Sequence, residues 1–89
     1  MSNSQKPIDK LSIFPLSCAL WRNARENRVF FNATFEKSFK DESGKWSTTA
    51  SFAAGDLLVL AKLCDMAHTR IIELRAKERQ SDQVEEDAA

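Results

Sequence analysis

Few side chains in this sequence bring reactive or binding chemistry. They are one histidine, His68, two cysteines, Cys18 and Cys64, and an aromatic pair, Trp21 and Phe30, set among basic, hydroxyl and amide residues. A nucleophilic enzyme needs Ser or Cys beside a base that a third group orients. Ser17, Cys18 and Cys64 stand in no such motif, and His68 has no second partner at a recognisable spacing. A zinc site needs several ligands at short intervals, whereas the cysteines are 46 positions apart and no Cys-x-x-Cys occurs. A phosphate loop needs clustered glycines, and Gly44 and Gly55 are the only two. The chain reads as a non-enzymatic protein with neither metal nor cofactor. The aromatic pair points elsewhere. Bases stack on exposed rings at about 1–3 kcal/mol each while cations follow the phosphates. Trp21 and Phe30 with Arg22, Arg28, Asn32, Thr34, Lys40, Lys45 and Ser47 therefore suit single-stranded DNA or RNA, provided that one surface holds them together.

The elements that must build that surface are strands. Val29, Phe31, Ala33, Phe35 and Phe39 share one parity, and Arg28, Asn32, Thr34, Glu36, Ser38 and Lys40 share the other. Period-two alternation of this kind is a strand with one dry and one wet face; Lys37 and Phe30 are its two exceptions. Residues 45–52 alternate again, with Trp46, Thr48, Ala50 and Phe52 against Lys45, Ser47, Thr49 and Ser51. Asp41-Glu42-Ser43-Gly44 reads as a four-residue turn between them. Pairing Lys40 with Lys45 then sets Phe39 opposite Trp46, Phe35 opposite Ala50 and Ala33 opposite Phe52, all apolar and on one face.

An earlier strand is expected over 13–22, with Pro15 at its start because proline has no amide donor. Its register is open. With a loop at 24–27, Leu16, Cys18 and Leu20 enter the core, and Trp21 pairs with Phe30 on the wet face. With a loop at 23–27, Trp21 goes in and Leu20 comes out. The first buries three apolar residues and is preferred. From Gly55 the period becomes helical: Leu57, Leu60, Ala61, Cys64, Ala67, Ile71 and Leu74 follow three- and four-residue steps, with Leu58, Leu63 and Ile72 widening the stripe. Asp56 suits the positive end of the helix dipole, and Arg70, Arg75, Lys77 and Arg79 suit the other. The helix is expected to end near Gln80.

The expected fold class is α+β: an antiparallel three- to four-stranded meander, then one long C-terminal helix on one face. A flexible arm is expected over 1–11, a single domain over 12–80 and an acidic disordered tail over 81–89. The chain has 89 residues with 13 basic and 13 acidic side chains, which suits one domain and excludes a two-domain enzyme. The balance is uneven. Residues 1–80 hold all 13 basic groups against nine acidic ones, a net of +4, while Asp82, Glu85, Glu86 and Asp87 give the last nine residues −4. The polar N-terminus has no apolar export core, no run approaches a membrane span, and the cysteines fit buried free thiols better than a disulfide. All three suggest the cytoplasm.

Two resemblances add to this. Ala19-Leu20-Trp21-Arg22-Asn23, Lys40-Asp41-Glu42-Ser43-Gly44-Lys45-Trp46, Thr49-Ala50-Ser51-Phe52 and Asp56-Leu57-Leu58-Val59-Leu60-Ala61-Lys62 resemble the motifs of a family of small bacterial proteins, which brings no activity with it. More remotely, the order strand, strand, Asp-x-x-Gly turn, strand, helix is similar to the transcriptional-coactivator (positive cofactor) and Whirly/Pur group. That likeness implies a curved sheet that binds single-stranded DNA, in a protein that dimerises. The group has four strands per unit and a Lys-Gly-Ile-Ser-Leu type segment, where this chain has Thr48-Thr49-Ala50-Ser51-Phe52. A fourth strand could come from residues 8–14, from a partner, or be missing. A small homodimer is expected either way, because so short a domain buries little core alone. The aromatic surface could instead pack within the fold, lie in the dimer interface, or dock a protein, as in a regulator or inhibitor acting on a phage, plasmid or bacterial partner.

Overall fold

Four strands precede one helix along the chain: β1 (Asp9–Ile13), β2 (Leu16–Arg25), β3 (Arg28–Lys40) and β4 (Trp46–Thr49), then a short 3-10 turn (Ala54–Asp56) and α1 (Leu57–Ala88). The computed structural model describes residues 6–88, with side chains as far as Gln80. The acidic tail expected from residue 81 falls outside the described side chains, as residues 1–5 of the expected arm fall outside the described chain. The strands form an antiparallel sheet in the order β1-β2-β3-β4, so the fold is α+β, a meander followed by a helix. The fourth strand is β1. It lies within residues 8–14, one of the places open to a fourth strand, and takes residues otherwise expected in the flexible arm and at the start of the first strand; it pairs Leu11 with Cys18 and Ile13 with Leu16. Phe14 and Pro15 alone make the turn into β2, through a cis peptide bond.

The β2–β3 hairpin is tighter than expected. Arg25 pairs with Arg28, leaving only Glu26 and Asn27 in the turn, and Glu26 takes a positive φ of 55°. A two-residue turn with a left-handed residue matches the twist of the strands it joins. The register differs from the preferred expectation by two residues, with Trp21 opposite Asn32 and Leu20 opposite Ala33. A shift of two leaves every side chain on its expected face. Leu16, Cys18 and Leu20 are buried on the helix side, and Trp21 stays on the other.

The β3–β4 hairpin departs by one residue, which reverses the faces of β4. Lys40 pairs with Trp46 and Phe39 with Ser47, where Lys40 with Lys45 and Phe39 with Trp46 were expected. Asp41 pairs with Lys45, its N–H donating to the Lys45 carbonyl at 2.8 Å, while the Gly44 N–H returns to the Asp41 carbonyl at 3.0 Å. Gly44 has φ 88°. A three-residue turn closed by a left-handed glycine is a bulged hairpin, and its extra residue moves Trp46 out of the core, to 60% exposure. Asp41 fixes the turn by accepting from Ser43 N–H, Ser43 Oγ and Lys45 N–H at 2.8–3.0 Å. These donors hold its carboxyl below the ordinary aspartate range, the Ser43 hydroxyl most strongly.

α1 packs on β1 and β2. Leu63 and Ala67 are its buried residues and join Leu16, Cys18 and Leu20 in the core, with Leu11, Ile13, Phe35, Phe52, Leu60, Ile71 and Leu74 around them. Burying a leucine fully contributes about 1.5–3 kcal/mol. The contact stripe is turned from the expected one: Leu57 is half exposed, and Ala61 and Cys64 lie outside. Both thiols are free, but only Cys18 is buried, and burial raises its pKa. Among the described residues, three ion pairs tie the helix and its entry turn to the sheet, one of them Arg22 with Glu78 at 3.1 Å. Lys37 Nζ donates to Asp56 Oδ2 and Arg70 Nε to Asp9 Oδ2, each at 2.6 Å. Asp56 Oδ2 also accepts from the Ala53 N–H at 2.9 Å, half of a capping box at the helix start.

Candidate nucleic-acid interface

The sheet face turned away from α1 carries the candidate site. Strand pairing puts Lys10 and Ser12 on it from β1, with Ser17, Ala19, Trp21, Asn23 and Arg25 from β2. From β3 come Arg28, Phe30, Asn32, Thr34, Glu36, Ser38 and Lys40, and from β4 Trp46 and Thr48. Four of these strand positions are basic and only Glu36 is acidic.

Towards the β2–β3 turn, Trp21 is half buried and donates from Nε1 to Thr34 Oγ1 at 3.0 Å, which fixes the indole against β3. Asn23 donates from Nδ2 to Asn32 Oδ1 one pair further along. Phe30 sits beside them at 47% exposure. Arg25 and Arg28 face each other across the last pair of the hairpin, both exposed, and among the described residues neither makes an ion pair. Like charges directly opposite in a sheet destabilise it, and an anion between them relieves the repulsion. A shallow depression next to Trp21 is bordered by Pro7, Lys10, Ala19, Thr34 and Glu36.

Six of the nine candidate residues come together on this face: Trp21, Arg28, Phe30, Asn32, Thr34 and Lys40. Lys45 lies in the bulged turn, exposed at the edge. Arg22 and Ser47 are corrections. Arg22 is on the helix side, where Nε and Nη2 donate to the two carboxylate oxygens of Glu78 at 3.1 Å, and that partner raises its pKa. Ser47 is also on the helix side, because the bulge reversed β4. Sequence reasoning missed Arg25, which lay inside the expected loop, and Trp46, which lay inside the expected core. The Asp-x-Ser-Gly turn was the signal for Trp46, since a glycine closing a turn of this length marks a bulge.

Among the described residues no helix is long and apolar enough to cross a membrane. No family model, curated protein or solved structure matches the chain.

Proposed function

We propose that the chain is a small, non-enzymatic, homodimeric protein that binds single-stranded DNA or RNA on the face of the sheet opposite the helix. One observation carries this: among the described residues no element covers that face, and it combines exposed aromatic rings with Arg25 and Arg28 set against each other without an acidic partner. Phe30 and Trp21 stack bases, Arg25, Arg28, Lys40 and Lys45 meet phosphates, and Asn32 and Thr34 offer hydrogen bonds. A duplex hides its base faces, so stacking of this kind selects single strands. Four phosphate contacts imply a slope of about −3 in log K against log salt.

The test is an oligo-thymidine titration followed by anisotropy. Phe30→Ala should weaken binding by roughly tenfold, and Trp21→Ala with Phe30→Ala by roughly a hundredfold, with unchanged circular dichroism. Binding by the double variant as tight as the parent's, or binding indifferent to salt, would sink the assignment and turn the open face over to a protein partner. Self-association is supported on the other face. α1 covers β1 and β2 but leaves Val29 at 40% and Phe39 at 38% exposure at the two ends of β3, and its own first residue, Leu57, at 53%. A second copy covers this uncovered half-sheet.

A further inference from the structure

We propose that Phe14, Trp46 and Lys40 form a second stacking station for the same single strand, at the far end of the open face from Trp21 and Phe30. This rests on the proposed function and extends it from one patch to a track. Phe14 is 76% exposed and Trp46 60%, large apolar surfaces that folding left in water although the helix side of the sheet is short of cover. They are not independent of each other. Phe14 reaches from the β1–β2 turn to Trp46, with ring centroids 6.1 Å apart and planes at 70°. The chain is held there because the Ser38 N–H on β3 donates to the Pro15 carbonyl at 2.8 Å. Two rings nearly at right angles make an aromatic corner that takes a base face against one ring and its edge against the other. Lys40 Nζ lies 5.7 Å from the Trp46 ring centroid, a cation placed for the phosphate that accompanies a stacked base.

Distance and charge join the two stations. Phe30 and Lys40 are ten residues apart on β3, about 33 Å at the rise of a strand. Asn32, Thr34 and Ser38 line the path with hydrogen-bonding groups, while Glu36 at its middle repels phosphate. Attraction is therefore concentrated at the two ends, each with aromatic rings and cations. Two stations on one strand act through effective concentration. An oligonucleotide long enough to reach both binds at least 10²-fold more tightly than one confined to a single end.

The experiment uses two full-length single-tryptophan variants, Trp46→Phe, which reports from Trp21, and Trp21→Phe, which reports from Trp46. Each is titrated at low salt with oligo-thymidine of about four and about sixteen nucleotides, spanning the usual range of single-strand site sizes. The long oligomer is expected to quench both reporters at the same midpoint. Trp46→Ala should remove most of the length dependence while leaving the short oligomer's affinity for the Trp21 end within a factor of about two. Lys40→Gln should reduce the salt slope for the long oligomer by about 0.7. If the long oligomer quenches Trp21 but not Trp46, or Trp46→Ala keeps the full length dependence, the second station is refuted and the first stands. If neither tryptophan responds, the binding function fails, and the second station with it.

Discussion

Glu26 holds a backbone conformation that suits glycine. Its φ of 55° lies at the first position of a two-residue hairpin turn, where a side chain in the left-handed region costs about 1–2 kcal/mol. Glycine there gives back part of that gain through the freedom it adds to the unfolded chain. Glu26→Gly is expected to raise stability by about 0.5–1 kcal/mol in urea unfolding; a lower midpoint would show that the glutamate stabilises the turn by other means. Gly44 is the opposite case. It already supplies the residue its φ of 88° demands, and nothing lies within 4 Å of where a Cβ would sit, so the demand there is conformational and not steric.

At the scale of elements, the helix and its entry turn are fastened to the sheet, among the described residues, at three points by charge, two of which turn on an aspartate. Hydrogen bonding from Lys37, and then from the Ala53 N–H, holds the Asp56 carboxyl below its ordinary range. Arg70, and then the Lys10 N–H, does the same for Asp9. A carboxyl whose folded pKa lies below its unfolded value stabilises fully above the unfolded pKa, and that contribution is lost as pH falls through the folded one. Thermal midpoints are therefore expected to be flat between about pH 5 and 7 and to fall below about pH 4. Asp56→Asn should lower the midpoint at neutral pH and flatten the acid limb. An acid limb as steep as the parent's in Asp56→Asn would remove the Lys37 clamp from the account.

At the scale of the molecule, the sheet is wider than its cover. Strands about 4.8 Å apart make a four-stranded face broader than one helix of about 10 Å, and among the described residues only five, Leu16, Cys18, Leu20, Leu63 and Ala67, are buried. Phe39 lies on the helix side of the uncovered half, where it borders a shallow hollow with Lys37, Thr49 and Phe52, and Leu57 at the start of α1 is half exposed. Sedimentation equilibrium at micromolar concentration is expected to give twice the 10.1 kDa of one chain. Phe39→Glu with Leu57→Glu should halve that mass and leave the circular dichroism unchanged. A parent chain that sediments as a monomer would overturn the pairing.

Strand and helix periods were legible in the sequence because side-chain alternation is local. Residues 28–40 declare a strand, the three- and four-residue steps after Gly55 declare a helix, and the preferred register sends Leu16, Cys18 and Leu20 inward and Trp21 outward. The observed register differs from it by two residues, and a slip of two preserves every face. Registers, by contrast, depend on backbone torsions at one or two turn residues. Gly44 in the left-handed region added one residue to the third hairpin, and so carried Trp46 out to solvent and Ser47 in. β1 was hard to read because Asp9-Lys10-Leu11-Ser12-Ile13 is a strand only against β2, with Asp9 held by Arg70 from a helix 61 residues away. Sequence period decided that β2, β3, β4 and α1 form, because alternation is local; tertiary packing decided that β1 forms at all and which two of the four strands the helix covers, because both depend on residues far apart in the chain.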